Sequence, residues 1–322
     1  LARPCLPAKR RIPVAGAGRG MEAGRCVIIG CGDRRAVRHG MNGGDGRREY
    51  GPSCGTRQAR LDKARERVTL PARGRPDGIR GKREGRAGRT AAQRLGSPTE
   101  RRAMRVMILG SAAAEGWPAL FCECEVCAEA RRRGGPNQRR RTAYWINRDT
   151  LVDFGPDIHW QTAQFGIDLA AVGHIFLTHS HTDHFSPVEL RWRARGFSAV
   201  TRSLTLYANA RALDRLRDER ARFGGDMSLT EELMTPGRCV TAGRLRVTAL
   251  LADHADPGEQ PLNYVIEEDG RSLLIANDTG WWPDESWAAI RAFRLDAAIL
   301  ECTYLHSQPE ARSKHLGFAA TV

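Results

Sequence analysis

The chain has 322 residues, with 51 Lys and Arg against 37 Asp and Glu, and a formal net charge of +14 at pH 7. Residues 1–103 hold 26 of the basic and 9 of the acidic side chains, a net +17, so residues 104–322 hold 25 and 28, a net −3. No apolar run approaches the roughly 18 residues of a membrane-spanning helix. We therefore expect no membrane partner and a cytoplasmic location for the domain that follows residue 103.

Residues 1–103 are rich in Gly and Arg, and their only short apolar run is "CVIIGCG". Such a segment buries too little apolar surface to offset chain entropy, so we predict that it is disordered. One interpretation is an Arg/Gly-rich tail that binds nucleic acid through phosphates. The other is over-extended translation, because the chain opens with Leu1 and "MRVMILGSAAA" from Met104 is typical of a first strand. We adopt the second and expect no nucleic-acid partner.

The pattern of residues 104–322 predicts strands alternating with helices. After the first strand, "CECEVCAEARRR" predicts a turn and a short helix ending near Gly134, and "TAYWINRDTLVDFG" predicts a hairpin turning at residues 147–149. A helix near residues 160–165, the strand "HIFLTH" and the helix "SPVELRWRARG" follow.

The second half repeats this alternation. "SLTLYA" predicts a strand, and the helix after it has Asn209 as its N-cap. Then come the strand "RLRVTALLADH", a hairpin turning at Asp269-Gly270, the helix "DESWAAIRAF" and the strand "LDAAILECTY". Strand pairs followed by helices predict an α/β fold of two sheets covered by helices outside.

Residues 178–185, "THSHTDHF", crowd four metal-binding side chains directly behind a predicted strand. They are His179, His181, Asp183 and His184. Alternate side chains of an extended segment share a face, so His179 and His181 point the same way, while the other two fall at the next turn. This spacing favours two adjacent metal sites; the alternative is four exposed polar residues in a loop.

Two further donors follow separate predicted strands. His254 ends "LLADH" and Asp278 lies in "ANDTG". Each taken singly is also an ordinary turn residue, but strand ends meet at one edge of a sheet. A carboxylate such as Asp278 can bridge two metals that hold a hydroxide of lowered pKa, and such a site hydrolyses electrophilic esters.

Three cysteines, Cys122, Cys124 and Cys127, form a C-x-C-x2-C cluster. The clustering favours a metal over disulfides, and three thiolates require a fourth ligand. The alternative is three buried cysteines without a ligand.

The order H-x-H-x-D-H, then His254, then Asp278 resembles the metallo-β-lactamase superfamily over nearly all of residues 104–322. The resemblance implies a four-layer αβ/βα sandwich and two divalent ions, zinc or manganese. It implies that one ion is bound by His179, His181 and His254. It further implies that the other is bound by Asp183 and His184 and that Asp278 bridges the two.

Within the superfamily, the segment from "LGSAAA" through the cysteines is similar to two branches. One is the cyclic-phosphate phosphodiesterase of the carbon-phosphorus lyase pathway; the other is pyrroloquinoline quinone biosynthesis protein B, whose histidine motif is degenerate. The intact motif of this chain favours the hydrolase. The resemblance also implies a structural zinc on Cys122, Cys124 and Cys127, completed by a distant histidine.

We therefore expect a metal-dependent hydrolase of a small phosphodiester, including cyclic ones, with Asp183 and His315 as catalytic residues. His315, in "SKHLGF", resembles the histidine that opens a late helix in phosphodiesterase branches, where it would protonate the leaving alkoxide. The alternative is a surface histidine beside Lys314. Residues 139–141, three arginines, either meet an anionic substrate or form a solvated charge run.

Two rival functions stay open: a hydrolase of a thioester, lactone or RNA end, and a non-catalytic cofactor-biosynthesis protein of the same fold. The oligomeric state is open as well, with a homodimer among the candidates. The superfamily pattern calls for one more metal-binding histidine after the helix near His315, and a second that closes the cysteine site. The chain ends seven residues beyond His315, so we expect both sites to be incomplete. His306 comes too early to substitute.

Overall fold

The computed structural model describes residues 25–29 and 104–322. The predicted disorder of the leader lies outside the described residues, apart from the short strand at 25–29. The described part contains two six-stranded sheets. None of its helices is long and apolar enough to cross a membrane.

The first sheet comprises strands from the first half of the domain. In spatial order they are β2 (Val106–Gly110), β3 (Ala143–Ile146), β4 (Thr150–Val152), β5 (His174–Phe176), β6 (Thr205–Ala208) and β7 (Thr230–Leu233). The β2, β3 and β4 strands pair antiparallel, and the ladders from β4 to β7 are parallel.

The second sheet consists mostly of strands from the second half. In spatial order they are β1 (Arg25–Ile29), β12 (Ala297–Glu301), β11 (Arg271–Ala276), β10 (Leu262–Glu268), β9 (Leu245–Leu251) and β8 (Cys239–Ala242). The β10 strand is antiparallel to both β9 and β11, and β12 is parallel to β11 and to β1. The strands β9, β11 and β12 therefore end at the same edge of the sheet.

Among the described residues, five α-helices accompany the sheets: α1 (Glu125–Arg133), α2 (Ile158–Phe165), α3 (Ala210–Phe223), α4 (Asp284–Arg291) and α5 (Phe318–Thr321). The same part of the chain has three short 3-10 helices, at Gly135–Asn137, Leu169–Ala171 and Pro187–Arg193.

The hydrophobic core shows that the architecture has four layers. Side chains of both sheets, such as Phe176 and Tyr264, share the central cluster. The outer face of the first sheet packs against α2 and α3 through residues such as Leu216, and that of the second against α4 through Trp282. The predicted αβ/βα sandwich is therefore confirmed.

Local sequence patterns predicted most elements correctly. Both hairpins turn where expected, at residues 147–149 and at Asp269-Gly270, and Asn209 caps α3 by accepting a hydrogen bond from the Ala212 amide at 2.9 Å. The segment Pro187–Arg193 is a 3-10 helix rather than the predicted α-helix, and the Ser186 side chain provides no N-cap. The strands β7 and β8 were not predicted, because "TEEL" is polar and "CVTA" is short.

Candidate metal centre

The predicted metal-binding side chains lie at the edge where strands of both sheets end. His179 follows β5, His254 follows β9 and Asp278 follows β11. The strand directions explain the convergence, because β9 and β11 run parallel and the facing sheet brings β5 to the same edge. The β5 end is tied to the second sheet by the Leu262 amide, which donates to the Thr178 carbonyl at 2.7 Å.

The donor atoms form overlapping groups of three, within which all ligand atoms lie within 4.8 Å of one another. The groups are His179, His181 and His254; His179, His184 and Asp278; and His254, Asp278 and His315. Asp278 belongs to two of them: its Oδ2 is 3.1 Å from His184 Nε2 and 3.6 Å from His254 Nε2. The first group is the one that the family resemblance implies for one ion.

Asp183 lies beside the second group without belonging to any group of three. Its Oδ2 is 3.3 Å from His184 Nε2, and its side chain also lines two cavities that open next to the site. The structure thus places Asp183 next to His184, and its roles as a ligand and as a catalytic residue remain predictions.

The donor set suits a divalent metal. His179 is 1% exposed, and within the described part of the chain its Nε2 has no hydrogen-bond partner. A buried imidazole nitrogen without a partner is costly, and this one points into a cluster of imidazoles and a carboxylate. Such nitrogen and oxygen donors are the ligands that zinc and manganese bind in proteins.

The histidines of the cluster have pKa values that are shifted in opposite directions. Burial lowers the pKa of His254 to about 4, and burial together with the neighbouring His184 holds the pKa of His179 well below its usual value. Burial acts on His184 in the same direction, but Asp278, Asp153 and Asp183 outweigh it and raise the pKa of His184 well above 6.5. Without metal, His184 is therefore cationic at neutral pH, whereas His179 and His254 are neutral.

Asp153, at the end of β4, orients His184 from behind. It is fully buried at φ +65°, and its Oδ2 lies 2.6 Å from His184 Nδ1. Its Oδ1 accepts from the Thr178 amide at 2.9 Å, and Asn277 donates to Oδ2 at 3.3 Å. Metal-bound imidazoles are commonly fixed in this way through their second nitrogen.

His254 is fixed through its second nitrogen as well. Its Nδ1 lies 2.8 Å from the Lys314 carbonyl oxygen, which can only accept, so Nδ1 carries the proton and Nε2 presents its lone pair. That Nε2 lies 3.2 Å from Nδ1 of His181. The tautomer of His254 is therefore the one required for binding metal through Nε2.

His315 lies beside the donor cluster, and one of its ring nitrogens pairs with the carboxylate of Glu301. Its Nδ1 lies 2.8 Å from Oε1 of Glu301, the last residue of β12, and its ring centroid is 4.7 Å from that of His254. Burial raises the pKa of Glu301, opposed by His315. The expected helix does not begin at His315: α5 starts at Phe318, after Gly317 as N-cap. His315 therefore precedes the late helix by three residues instead of opening it.

His306 does not approach the cluster. Its ring lies 4.9 Å from that of Phe318 and belongs to none of the donor groups.

The cysteines converge at a separate place. The Sγ atoms of Cys122, Cys124 and Cys127 lie within 4.8 Å of one another. The Ala119 amide donates to Cys127 Sγ at 3.3 Å, a bond that supports a thiolate. Within the described residues this group has three members, and its occupation by zinc remains a prediction.

The three consecutive arginines have separate environments. Arg139 lies over the Trp117 ring at 5.5 Å and Arg140 over the Trp160 ring at 3.6 Å. Arg141 pairs with Asp157 at 3.0 Å and lines a cavity of about 340 Å³ that reaches Asp183. A larger cavity of about 690 Å³ exposes Asp183, His181 and two arginines of α3, Arg211 and Arg215.

The sequence interpretation missed Asp153 and Glu301. Both directly follow or end a buried strand, in "LVDFG" and "ILECTY". Their position at strand ends, the same feature that identified His254 and Asp278, was the available signal.

The fold and the donor set define a metal-binding protein of the αβ/βα sandwich class. Residues 145–322 match the family model described as the beta-lactamase superfamily domain. That match covers more than half of the chain, so the chain belongs to the metallo-β-lactamase fold superfamily, whose members are generally metal-dependent hydrolases.

The fold is shared with solved structures such as the following two. Zn²⁺-bound PqqB from Methylobacterium extorquens is 21% identical with a TM-score of 0.52, covering 62% of this chain and 72% of that one. A diphosphatase from the PhnP family is 21% identical with a TM-score of 0.53, covering 68% and 80%. At this identity the likeness shows the fold alone.

One curated relative matches a shorter region. An octanoyltransferase from Porphyromonas gingivalis is 32% identical over 123 residues, which is 36% of this chain and 22% of the relative. The matched region thus spans about a fifth of that protein, whose named activity belongs to the whole of it.

Proposed function

We propose that this protein is a metal-dependent phosphodiesterase that hydrolyses a small phosphodiester, including cyclic ones, with two divalent ions, zinc or manganese. One observation carries the proposal: Asp278 is shared between two donor groups, within 3.1 Å of His184 and 3.6 Å of His254. A carboxylate in that position suits a bridging ligand between two adjacent ions.

In this proposal the residues divide into two ligand sets with Asp278 common to both. His179, His181 and His254 hold one ion; Asp183 and His184 hold the other. When bound, a metal pair polarises phosphoryl oxygens and supplies a hydroxide at neutral pH. The chain's own contribution is the orientation of the imidazoles, through Asp153 behind His184 and the Lys314 carbonyl behind His254.

His315 is the group that we assign to protonating the leaving alkoxide. Its Nδ1 is paired with Glu301, so the proton is given up from the other ring nitrogen, Nε2. Glu301 is itself held by the Thr279 amide at 3.1 Å and the Thr303 amide at 2.8 Å. Glu301 is thus a positioning residue that fixes the ring of His315 beside the donor cluster.

The cavities offer arginines to an anionic substrate, next to acidic side chains such as Asp183 and Asp218. Arg215 lines both, and its guanidinium lies 5.9 Å from the Phe185 ring centroid. Within the described residues Arg215 forms no ion pair with a carboxylate within 4.0 Å, although the charge of Glu259 acts on its guanidinium. A half-buried arginine without a direct ion pair, next to Asp183 and His181, favours a phosphate ester over the uncharged thioesters and lactones.

The first test combines metal analysis with a panel of substrates. Purified protein incubated with zinc or manganese should take up two catalytic ions, apart from the metal of the cysteine site, and hydrolyse bis(p-nitrophenyl) phosphate or a cyclic nucleotide. Turnover of a thioester or lactone instead would favour the rival hydrolases. A fully loaded protein inactive on every substrate would favour the non-catalytic alternative.

The second test uses ligand variants with a matched control. His181→Ala and Asp183→Ala should each abolish hydrolysis while the far-UV circular dichroism is retained, because they remove donors rather than core side chains. His306→Ala, whose ring lies against Phe318 away from the cluster, should keep wild-type turnover. Wild-type turnover in either ligand variant would contradict the dinuclear assignment.

A further inference from the structure

A single carboxylate binds the segment between the first two histidines of the motif. Ser180 lies between His179 and His181, and its amide donates to Glu259 Oε1 at 2.7 Å. Its hydroxyl donates to Glu259 Oε2 at 2.8 Å. Glu259 belongs to the loop that follows His254, five residues further along the chain. The loops of all three histidines of the first donor group are therefore joined by one side chain.

The Glu259 carboxylate also binds α3, the helix that lines the larger cavity. Asn209, the N-cap of α3, donates from Nδ2 to Glu259 Oε1 at 2.8 Å and to the Gln260 carbonyl at 2.9 Å. Both residues that Glu259 contacts are buried, Ser180 at 6% and Asn209 at 2% exposure. Hydrogen bonds to an ionised carboxylate are stronger than neutral ones, so this connection is stiff.

The hydrogen bonds between Ser180 and Glu259 lie where they can control the position of the metal ligands. The strand ladder and the bond from Leu262 to Thr178 fix the chain up to the residue before His179. Beyond that point the backbone is irregular, and the Ser180 amide finds its acceptor on Glu259. A shift of Ser180 would displace the two flanking histidines, and His181 Nδ1 must stay near His254 Nε2, now 3.2 Å away.

We propose that Glu259 is a positioning residue: it fixes the His179–His181 segment against the His254 loop and α3, and so sets the geometry and affinity of the first metal site. The inference rests on the metal-binding role proposed above for these histidines. Glu259 is assigned no contact with metal or substrate.

The test measures zinc affinity without any substrate. Full-length wild type and variants are stripped with chelator and titrated with zinc in competition with a chromophoric chelator. Glu259→Ala should weaken binding at the first site by about 10- to 100-fold, the usual effect of losing a residue that orients a ligand. Glu267→Ala, which removes an ion pair with Arg246 on the β10 surface, is the matched control and should bind as wild type.

A conservative variant separates positioning from charge. In Glu259→Gln the amide oxygen can still accept from the Ser180 and Asn209 donors, and its NH₂ can donate to the Ser180 hydroxyl. This variant should recover most of the affinity and the wild-type visible spectrum of the cobalt(II) form. If Gln were as damaging as Ala, the negative charge rather than the geometry would be responsible, and the proposal would be overturned.

A double mutant shows whether Glu259 acts through Ser180. Ser180→Ala removes the hydroxyl bond to Oε2 and keeps the amide bond to Oε1, and alone it should weaken zinc binding by about tenfold. Added to Glu259→Ala it should cause almost no further loss, because the contact is already gone. If Glu259→Ala does not fold, Ser180→Ala decides alone, and unchanged affinity there refutes the proposal. Unchanged affinity in folded Glu259→Ala refutes it too, whereas a wild type that binds no zinc refutes the proposed function itself.

Discussion

Replacing Asp153 by Asn should destabilise the metal-free protein strongly. Each oxygen of this fully buried carboxylate faces donors: Oδ1 accepts from the amide and hydroxyl of Thr178, and Oδ2 faces His184 and Asn277. An Asn side chain has one amino group, and in either orientation that group faces a donor. The cationic His184 would also lose its nearest counter-charge.

The expected loss of stability follows from the burial of the Asp153–His184 pair. Removing one partner of a buried ion pair costs about 3–5 kcal/mol. Asp278 and Asp183 still face His184, at 3.1 and 3.3 Å, so we expect the lower end of that range. In a domain of this size each kcal/mol lowers Tm by about 2–4 °C, so Asp153→Asn should lower Tm by about 6–12 °C. The pair exists at pH 7 because the pKa of His184 is raised, and its contribution is lost only as the pH rises through that folded-state pKa.

The assay is thermal unfolding of chelator-treated protein at pH 7, followed by circular dichroism. Asp168→Asn is the control, since Asp168 is an exposed N-cap of a 3-10 helix that accepts from the Ala170 amide and Asn caps equally well. Its Tm should change little. A shift below about 3 °C in Asp153→Asn would refute the reasoning that the carboxylate compensates a buried charge.

Three further predictions concern proton release, backbone approach and the leader. Zinc binding at the second site should weaken by about tenfold per pH unit below neutrality, because the ion displaces one proton from His184; the first site, where burial lowers the pKa values of His179 and His254, should show a weaker dependence in calorimetric titrations between about pH 6 and pH 8. Gly280→Ala would place a methyl group against the Asp253 carboxylate and the Arg312 and Lys314 backbone. It should therefore displace His315 and the Lys314 carbonyl that orients His254, lowering kcat by about 100-fold and weakening zinc binding; unchanged kcat would show that the site does not need this close approach. Protein begun at Met104 should melt at the same temperature or higher, since residues 1–103 supply charge and little apolar pattern; a fall in Tm would show instead that the pairing of β1 with β12 stabilises the sheet.

The sequence by itself determined the features that depend on neighbouring residues. The hairpin turns, the Asn209 cap and the amphipathic α3 were predictable because turn chemistry and periodicity act over a few positions. The same holds for the histidine motif, whose donors are at most five residues apart. The choice of His254 and Asp278 as candidates rested on one local feature, a polar side chain at the end of an apolar strand, and the family resemblance implied their metal-ligand roles.

The tertiary structure alone decided which residues support those donors. Asp153 and Asn277 are 124 residues apart, and Ser180 and Glu259 are 79 apart, yet each pair is joined by hydrogen bonds. No periodicity or turn chemistry links such distant positions, since their meeting depends on how two sheets pack face to face. The polar edge strand β7 and the 3-10 helix at Pro187–Arg193 were missed for a related reason: packing against the rest of the domain, rather than intrinsic preference, selects their conformation.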